Sequence, residues 1–307
     1  MKHIKILLFI LPFTIFLSGN ALACDVCGCA MAGNYSGIYP QFQKNIIGFR
    51  YRFQSFNHPN TDLNLNGTSL VQRDKFQTYE LAGRFYLSDR IQLLAAVPYS
   101  VHMREESERT TDISGIGDMT VAANYTLINT GDSLKKTFKH TLLVGAGVSL
   151  PTGRYQQRDA TKAMLPAQFQ IGTGAYRFSL RSNYTVRYEG FGVNAEANYT
   201  FNGENERFYQ FGNQYSASAN AFYWFQGNGF SILPSLGISY EHYNQDYEYE
   251  NVKEQTGGSL QLLNAGIDLY LDKYYVQFFM QQPLAQNLPD AQPSNQGRFS
   301  IGVSRVF

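Results

Sequence analysis

Twelve segments of the chain alternate apolar and polar side chains with a period of two residues. In the first, residues 46–56, Ile47 and Phe49 alternate with Arg50 and Arg52. Successive side chains of a β-strand point to opposite faces, so this period predicts strands that are apolar on one face and polar on the other. The other eleven predicted strands lie within residues 79–87, 91–101, 119–127, 142–150, 176–187, 193–201, 215–225, 230–240, 263–271, 274–280 and 299–307.

The connections between the predicted strands alternate in length. They are short after strands two, six, eight and ten, and long after strands one, three, five, nine and eleven. The connection after strand four, residues 129–139, is longer than this rule requires. Short turns at one end, long loops at the other and strands of about ten residues are typical of outer-membrane barrels. The pattern therefore predicts an all-β, transmembrane antiparallel β-barrel of outer-membrane type, with about twelve strands, over residues 44–307.

Composition supports a membrane barrel. Phe and Tyr are abundant, with 23 and 22 copies, and many lie near the ends of the apolar faces, as aromatic girdles at the two membrane interfaces would. A soluble β-sandwich would also alternate, but twelve such long strands are unusual for a sandwich. The aromatic residues at the ends of these faces are Phe53, Phe85, Tyr99, Tyr125, Phe201, Phe225, Tyr240 and Tyr274.

The N-terminal segment has the form of a secretory signal peptide. Lys2 and Lys5 precede an apolar run over residues 6–17, and Ala21 and Ala23 provide the small residues of a cleavage site. We therefore predict a signal peptide over residues 1–23 and a periplasmic leader over residues 24–43. The protein is expected in the outer membrane of a Gram-negative bacterium, with both termini in the periplasm.

The leader holds all three cysteines, Cys24, Cys27 and Cys29, in the pattern C-x-x-C-x-C. In an oxidising compartment, one disulfide and one leftover thiol is the simplest interpretation. Three thiolates beside Met31 would also suit Cu(I), because soft sulfur ligands select it. Lipidation of Cys24 is a third possibility, although Leu22 and Ala21 stand in the wrong order for a lipobox. The sequence thus predicts Cys24, Cys27 and Cys29 as candidate metal ligands, and Cu(I) is the one cofactor that it suggests.

Charge limits the range of partners. Of 25 Lys and Arg, two belong to the signal peptide, which leaves 23 basic residues against 24 acidic ones. Such a balance argues against a nucleic-acid partner. The expected partners are outer-membrane lipid, a small solute and a periplasmic protein that docks on the cysteine leader.

The polar faces of the strands predict the barrel interior. A barrel of about eight strands has room inside for side chains alone, and one of about sixteen to eighteen encloses an aqueous channel. A barrel of twelve strands has an interior of intermediate width. One interpretation is a polar pore with a mild anion preference, and the other is a ladder of Arg–carboxylate pairs that fills the lumen. The residues predicted to face the lumen are six cations, Arg50, Arg52, Arg84, Arg177, Arg181 and Arg187, and four anions, Glu80, Asp118, Glu196 and Asp268.

Several short motifs resemble known outer-membrane sequences. The segment 299–307, with Phe307 last, resembles the signal that the barrel assembly machinery recognises, although Arg305 departs from it. SGIGDM at 114–119, VSLPTG at 148–153 and QIGTGAY at 170–176 resemble segments of an outer-membrane barrel family labelled for the meta pathway of phenol degradation. The resemblance covers roughly residues 40–307. It implies a transporter of small, aromatic or hydrophobic solutes and assigns no catalytic residues.

An enzymatic function has little support in the sequence. Ser100 and His102 share a face, and Glu80 lies on the same side of the neighbouring strand, but a single S-x-H pair occurs often by chance. We therefore predict a non-enzyme, a porin-like channel or transporter for small solutes. The alternative is a non-conducting structural or docking barrel whose cysteine leader carries a metal or redox function.

Overall fold

The computed structural model describes residues 44–58, 72–106, 109–130, 137–289 and 293–307. Twelve long strands dominate these residues, and no helix among them is long and apolar enough to cross a membrane. Short strands at Thr110–Ile116, Tyr209–Gln210, Phe225–Gln226, Tyr247–Glu248 and Asn251–Val252 and a 3₁₀ helix at Ala167–Phe169 lie in the connections. The long strands are β1 (Ile46–Asn57), β2 (Arg73–Tyr86), β3 (Ile91–Glu105), β4 (Met119–Asn129), β5 (Phe138–Leu150), β6 (Arg177–Tyr188), β7 (Phe191–Asn202), β8 (Gln214–Tyr223), β9 (Phe230–Tyr243), β10 (Gly258–Leu271), β11 (Tyr274–Asn287) and β12 (Ser294–Val306).

The twelve long strands close into one barrel. Each pairs antiparallel with the next in sequence, and β1 also pairs with β12, with Phe53 opposite Phe299. The backbones of Asn45 and Phe307 exchange two hydrogen bonds beyond this last pair. Closure leaves the long strands without a free edge. The predicted fold, a transmembrane antiparallel β-barrel of outer-membrane type with twelve strands, is confirmed.

The surface and the interior of the barrel have the reverse of a soluble protein's polarity. On the outside, Phe49, Leu81 and Leu180 are each more than 50% exposed. On the inside, Gln92 and Asn194 are completely buried. A surface of this kind is stable where hydrocarbon replaces water, and it leaves the polar faces to line the interior.

The two ends of the barrel differ as the sequence predicts. Turns such as 87–90, 189–190 and 272–273 are short and lie at one end, together with the start of β1 and the end of β12. The loops at the other end are longer, and the stretch 151–176 is the longest of those that the structure describes completely.

Two predicted loop boundaries are wrong. The predicted strands 274–280 and 299–307 are too short, because β11 continues to Asn287 and β12 begins at Ser294. The connection predicted between the strands 91–101 and 119–127 contains the short strand Thr110–Ile116, which pairs with the end of β3. Strands that extend past the bilayer meet water on both faces, so their alternation disappears while the backbone ladder continues.

Candidate channel interior

A cavity of about 180 Å³ lies inside the barrel against the first eight strands. Six of the ten residues predicted to face the lumen line it, and the structure brings them together. Four carry guanidinium groups and two carry carboxylates, so cations are in excess around this space. These residues are Arg50, Arg52, Arg177, Arg181, Glu80 and Asp118.

Glu80 is clamped by two arginines of the neighbouring strand. In the antiparallel register Arg50 lies opposite Glu80, and Arg52 lies opposite Thr78 one step along the same face. Arg52 donates from Nη2 to Glu80 Oε2 at 2.8 Å, and Arg50 donates from Nε to Oε1 at 3.1 Å and again from Nη2. Glu80 is only 4% exposed, whereas the two arginines are half-buried, and the three side chains form a cluster with one net positive charge.

Asp118 holds the two ends of the loop 151–176 inside the barrel. Its Oδ1 accepts the Gly153 N–H at 3.0 Å, and its Oδ2 accepts the N–H and the hydroxyl of Thr173 at 3.0 and 2.7 Å. Arg177 Nη2 lies 3.8 Å from the same Oδ2. The three motifs SGIGDM, VSLPTG and QIGTGAY therefore meet at one carboxylate, and we call this contact the loop anchor.

Two glycines of these motifs allow the loop anchor to form. A Cβ placed on Gly172 would lie 2.5 Å from the carbonyl carbon and oxygen of Gly153, closer than any side chain allows. Beside them, Thr152 Oγ1 donates to the Gly117 carbonyl at 2.8 Å and accepts the Met119 N–H at 3.0 Å. The backbone segments at Gly153 and Gly172 are thus packed directly against each other.

The anchored loop places apolar side chains inside the barrel. Phe169 is 1% exposed, and its ring centroid lies 6.0 Å from that of Phe76, which in turn lies 5.7 Å from that of Phe56. His102 Nδ1 is 2.8 Å from the Phe169 carbonyl oxygen, and the Arg104 guanidinium lies 4.7 Å above the Phe169 ring. The cluster, which we call the apolar plug, consists of Phe56, Phe76, Ile113, Leu165, Phe169 and Ile171.

A network of amides fills the wall opposite the cavity. Asn264 donates to Asn220 at 2.9 Å and accepts from Gln281 at 2.8 Å, and Arg298 Nε donates to Gln281 at 2.7 Å. Arg298 also pairs with Glu241. Chains of buried polar groups of this kind fix the wall, because breaking one bond leaves a buried polar group unsatisfied.

The other predicted anions are engaged with neighbouring side chains. Asp268 accepts hydrogen bonds from the Tyr275 hydroxyl at 2.6 Å and from Gln277 at 3.1 Å. Glu196 accepts from Asn183 Nδ2 at 2.7 Å. Neither residue lines the central cavity that the structure describes.

The other predicted cations lie toward the short-turn end. Arg84, which is 6% exposed, lines a second cavity of about 110 Å³ that Arg50 also touches. The Arg187 guanidinium lies 4.4 Å above the ring of Trp224 in a cation–π contact. Neither of these two arginines lines the central cavity.

Three outer loops meet at a buried carboxylate. Asp246 accepts hydrogen bonds from the Tyr209 hydroxyl at 2.5 Å, the Gly212 N–H at 2.7 Å and Gln168 Nε2 at 3.0 Å. Burial raises the pKa of the Asp246 carboxyl above its ordinary value. Because Gln168 belongs to the loop 151–176, this contact supports the loop from its outer side. A cleft of about 750 Å³ lies among the same loops.

The motifs at the loop anchor coincide with a family match. The sequence model of the family described as "Putative MetA-pathway of phenol degradation" matches residues 40–279. The chain belongs to this family. No curated protein matches the chain significantly.

One solved structure supports the fold of this family member. An outer-membrane channel from Pseudomonas putida F1 superimposes with a TM-score of 0.65 at 16% identity, covering 90% of this chain and 98% of the channel. The translocator domain of the autotransporter NalP from Neisseria meningitidis reaches a TM-score of 0.45 at 10% identity, with 91% and 92% covered. At these identities the likeness concerns the barrel fold alone.

The predicted thiol site lies outside the described residues. Cys24, Cys27 and Cys29 fall in residues 1–43, as do the predicted signal peptide and leader. In the part of the chain that is described, no group of three or more His, Cys, Asp or Glu side chains is arranged to hold a metal ion. The Cu(I) site therefore stays a prediction.

The candidate serine and histidine make other contacts. Ser100 Oγ lies 3.4 Å from the Thr78 hydroxyl, and His102 turns Nδ1 to the Phe169 carbonyl. The prediction of a non-enzyme rests, as before, on the sequence.

Sequence reasoning missed the apolar plug, Arg298 and Glu241. Phe56 and Phe76 interrupt the polar faces of β1 and β2, and this break in alternation was a usable signal. Arg298 and Glu241 each lie one residue beyond a predicted strand, where the alternation had ended.

Proposed function

We propose that the protein is a channel for small solutes in the outer membrane, narrowed from its outer end by the loop 151–176. The observation that carries this proposal is a closed barrel whose polar interior keeps a cavity beneath the anchored loop. Family membership supports it, because the label of the family concerns phenol degradation and so favours small aromatic or hydrophobic solutes. The apolar plug beside the cavity offers such solutes a surface of matching polarity.

The proposal includes an orientation. Outer-membrane barrels expose their long loops to the outside and their short turns to the periplasm. Applied here, this rule places the loop 151–176 outside the cell and both ends of the barrel chain, at Asn45 and Phe307, in the periplasm. Assembly would follow the ordinary route through the barrel assembly machinery, as the C-terminal segment suggests.

Anion preference follows from the charges around the cavity. Four guanidiniums face two carboxylates there, and one of those carboxylates, Asp118, is occupied by the loop anchor. A narrow polar passage with excess positive charge attracts anions and repels cations.

Conductance in planar bilayers tests both parts of the proposal. We expect discrete current steps from the purified, refolded barrel and, in a KCl gradient, a reversal potential displaced toward that of chloride. Detergent without protein serves as the blank. Absence of steps at every voltage would favour the alternative, a non-conducting barrel with a structural or docking role. A displacement toward potassium would reject the anion preference alone.

The cysteine leader adds a second proposed property. With the ends of the barrel chain in the periplasm, Cys24, Cys27 and Cys29 would lie before the inner mouth, where three thiolates can bind Cu(I). The protein without its signal peptide should bind about one equivalent of Cu(I), and a variant with all three cysteines changed to serine should lose it. Equal binding by the two proteins would end this hypothesis.

A further inference from the structure

We infer that the central cavity binds a small monocarboxylate with an apolar or aromatic body, and that Arg181 is the ligand of its carboxylate. The inference rests on the proposed function, since a channel gives the solute its access to the cavity. It goes further by assigning a residue and a chemical class.

Arg181 differs from the other three cavity arginines. Arg50 and Arg52 both bind Glu80, and Arg177 lies 3.8 Å from Asp118. In the described part of the chain, the Nε atoms of Arg52, Arg177 and Arg181 are all buried without a hydrogen-bond partner. Among the residues that the structure describes, Arg181 is the one cavity arginine whose guanidinium forms no ion pair with a carboxylate. Buried guanidinium donors are normally satisfied, so a cavity arginine with no carboxylate of the protein beside it is suited to bind an anion.

The Glu196 carboxylate is not the ion-pair partner of Arg181. It lies on β7 and interacts with Arg181 electrostatically, but its Oε1 accepts the Asn183 amide at 2.7 Å. Glu196 does not line the cavity, whereas Arg181 does. An anion in the cavity would therefore reach Arg181 without displacing a carboxylate of the barrel.

The walls around Arg181 divide into a polar and an apolar part. Hydroxyl groups and an amide from β5 to β8 border the cavity and can donate to the same anion: Ser149, Ser179, Thr200 and Gln214. Apolar side chains from β3, β4 and the anchored loop border the rest: Leu94, Ala96, Pro98, Ala122 and Ile171. A few convergent polar groups beside an apolar wall are the usual construction of a site for a small amphiphilic molecule.

The charge of the site selects a monoanion. Four guanidiniums repel a cation, and a neutral solute would leave the Arg181 donors desolvated and unpaired. One unengaged guanidinium matches one carboxylate, to which arginine can donate two parallel hydrogen bonds. A cavity of about 180 Å³ limits the body of the solute to the size of a single ring or a short chain.

Isothermal titration calorimetry on the purified barrel in detergent tests the site, with benzoate and its neutral isostere benzamide as probes. We expect saturable binding of benzoate and none of benzamide at the same concentrations. Arg181→Gln should weaken benzoate binding by roughly tenfold or more, because it removes a charge-assisted hydrogen bond. Arg187→Gln is the matched control, since Arg187 lies on the same strand and outside the cavity, and it should leave the affinity unchanged.

Each outcome bears on the inference. Equal benzoate affinity in the wild type and Arg181→Gln, or no saturable benzoate binding to the wild type, overturns the site. Equal binding of benzamide overturns recognition of the carboxylate. The heat-modifiable electrophoretic migration of each variant shows that it is folded. Because calorimetry needs no current, a barrel that binds benzoate through Arg181 but never conducts would support the site and reject the proposed channel.

Discussion

Replacement of Asp118 by alanine is expected to release the loop 151–176 and to increase the single-channel conductance. The carboxylate accepts three hydrogen bonds from Gly153 and Thr173, and it is 7% exposed. A hydrogen bond to a charged group contributes about 1.5–3 kcal/mol, so losing three should weaken the anchoring of the loop by roughly 4–9 kcal/mol. The backbone ladder of the barrel does not depend on these contacts, so the barrel should still assemble.

Limited proteolysis and conductance measure this effect together. Trypsin should cleave the variant faster at Arg154 and Arg158, which lie in the loop, and current steps should be larger than in the wild type. Asp112→Ala is the matched control, because Asp112 is an exposed acid in the same connection between β3 and β4. Gly172→Ala should reproduce the result by obstructing the approach of Gly153. Unchanged cleavage and current in Asp118→Ala would show that other contacts hold the loop.

The fold was predictable because the lipid requires an apolar side chain at every second residue of a membrane-spanning strand. Within the bilayer, one face of every strand meets hydrocarbon and the other meets the interior, so the period of two is strong in segments such as 263–271. Outside the bilayer this sorting ceases. The last residues of β11, up to Asn287, are therefore paired in the structure although their side chains no longer alternate between apolar and polar.

The candidate site was predictable only in part. Alternation assigned Arg50, Arg52 and Glu80 to inner faces, and these three form one ion-pair cluster in the structure. Alternation says nothing about contacts across the interior, such as that of Asp118 with Thr173, which lies 55 residues further along the chain. The resemblance motifs marked the residues of the loop anchor without indicating that they touch.

The substitution Glu80→Gln is expected to destabilise the folded barrel by about 3–5 kcal/mol, the usual effect of removing one member of a buried ion pair. It leaves the half-buried guanidiniums of Arg50 and Arg52 with a neutral partner at the buried position 80. The unfolding temperature of the variant should be lower than that of the wild type. It can be measured by heating samples to increasing temperatures and comparing the folded and unfolded bands in electrophoresis. Glu105→Gln is the control, because its ion pair with Lys75 is about one-third exposed, far more than Glu80, and should contribute at most about 1 kcal/mol.

The same variant distinguishes the two interpretations of the polar interior. If the cavity lies on a conducting path, Glu80→Gln removes one of its two carboxylates, so the reversal potential in a KCl gradient should move further toward chloride. If the charged side chains only stabilise a filled lumen, Glu80→Gln should lower the thermal stability of the barrel, and the barrel should carry no current. Equal thermal stability of Glu80→Gln and Glu105→Gln would contradict the filled-lumen interpretation, because that interpretation requires the Arg50–Glu80–Arg52 cluster to stabilise the barrel.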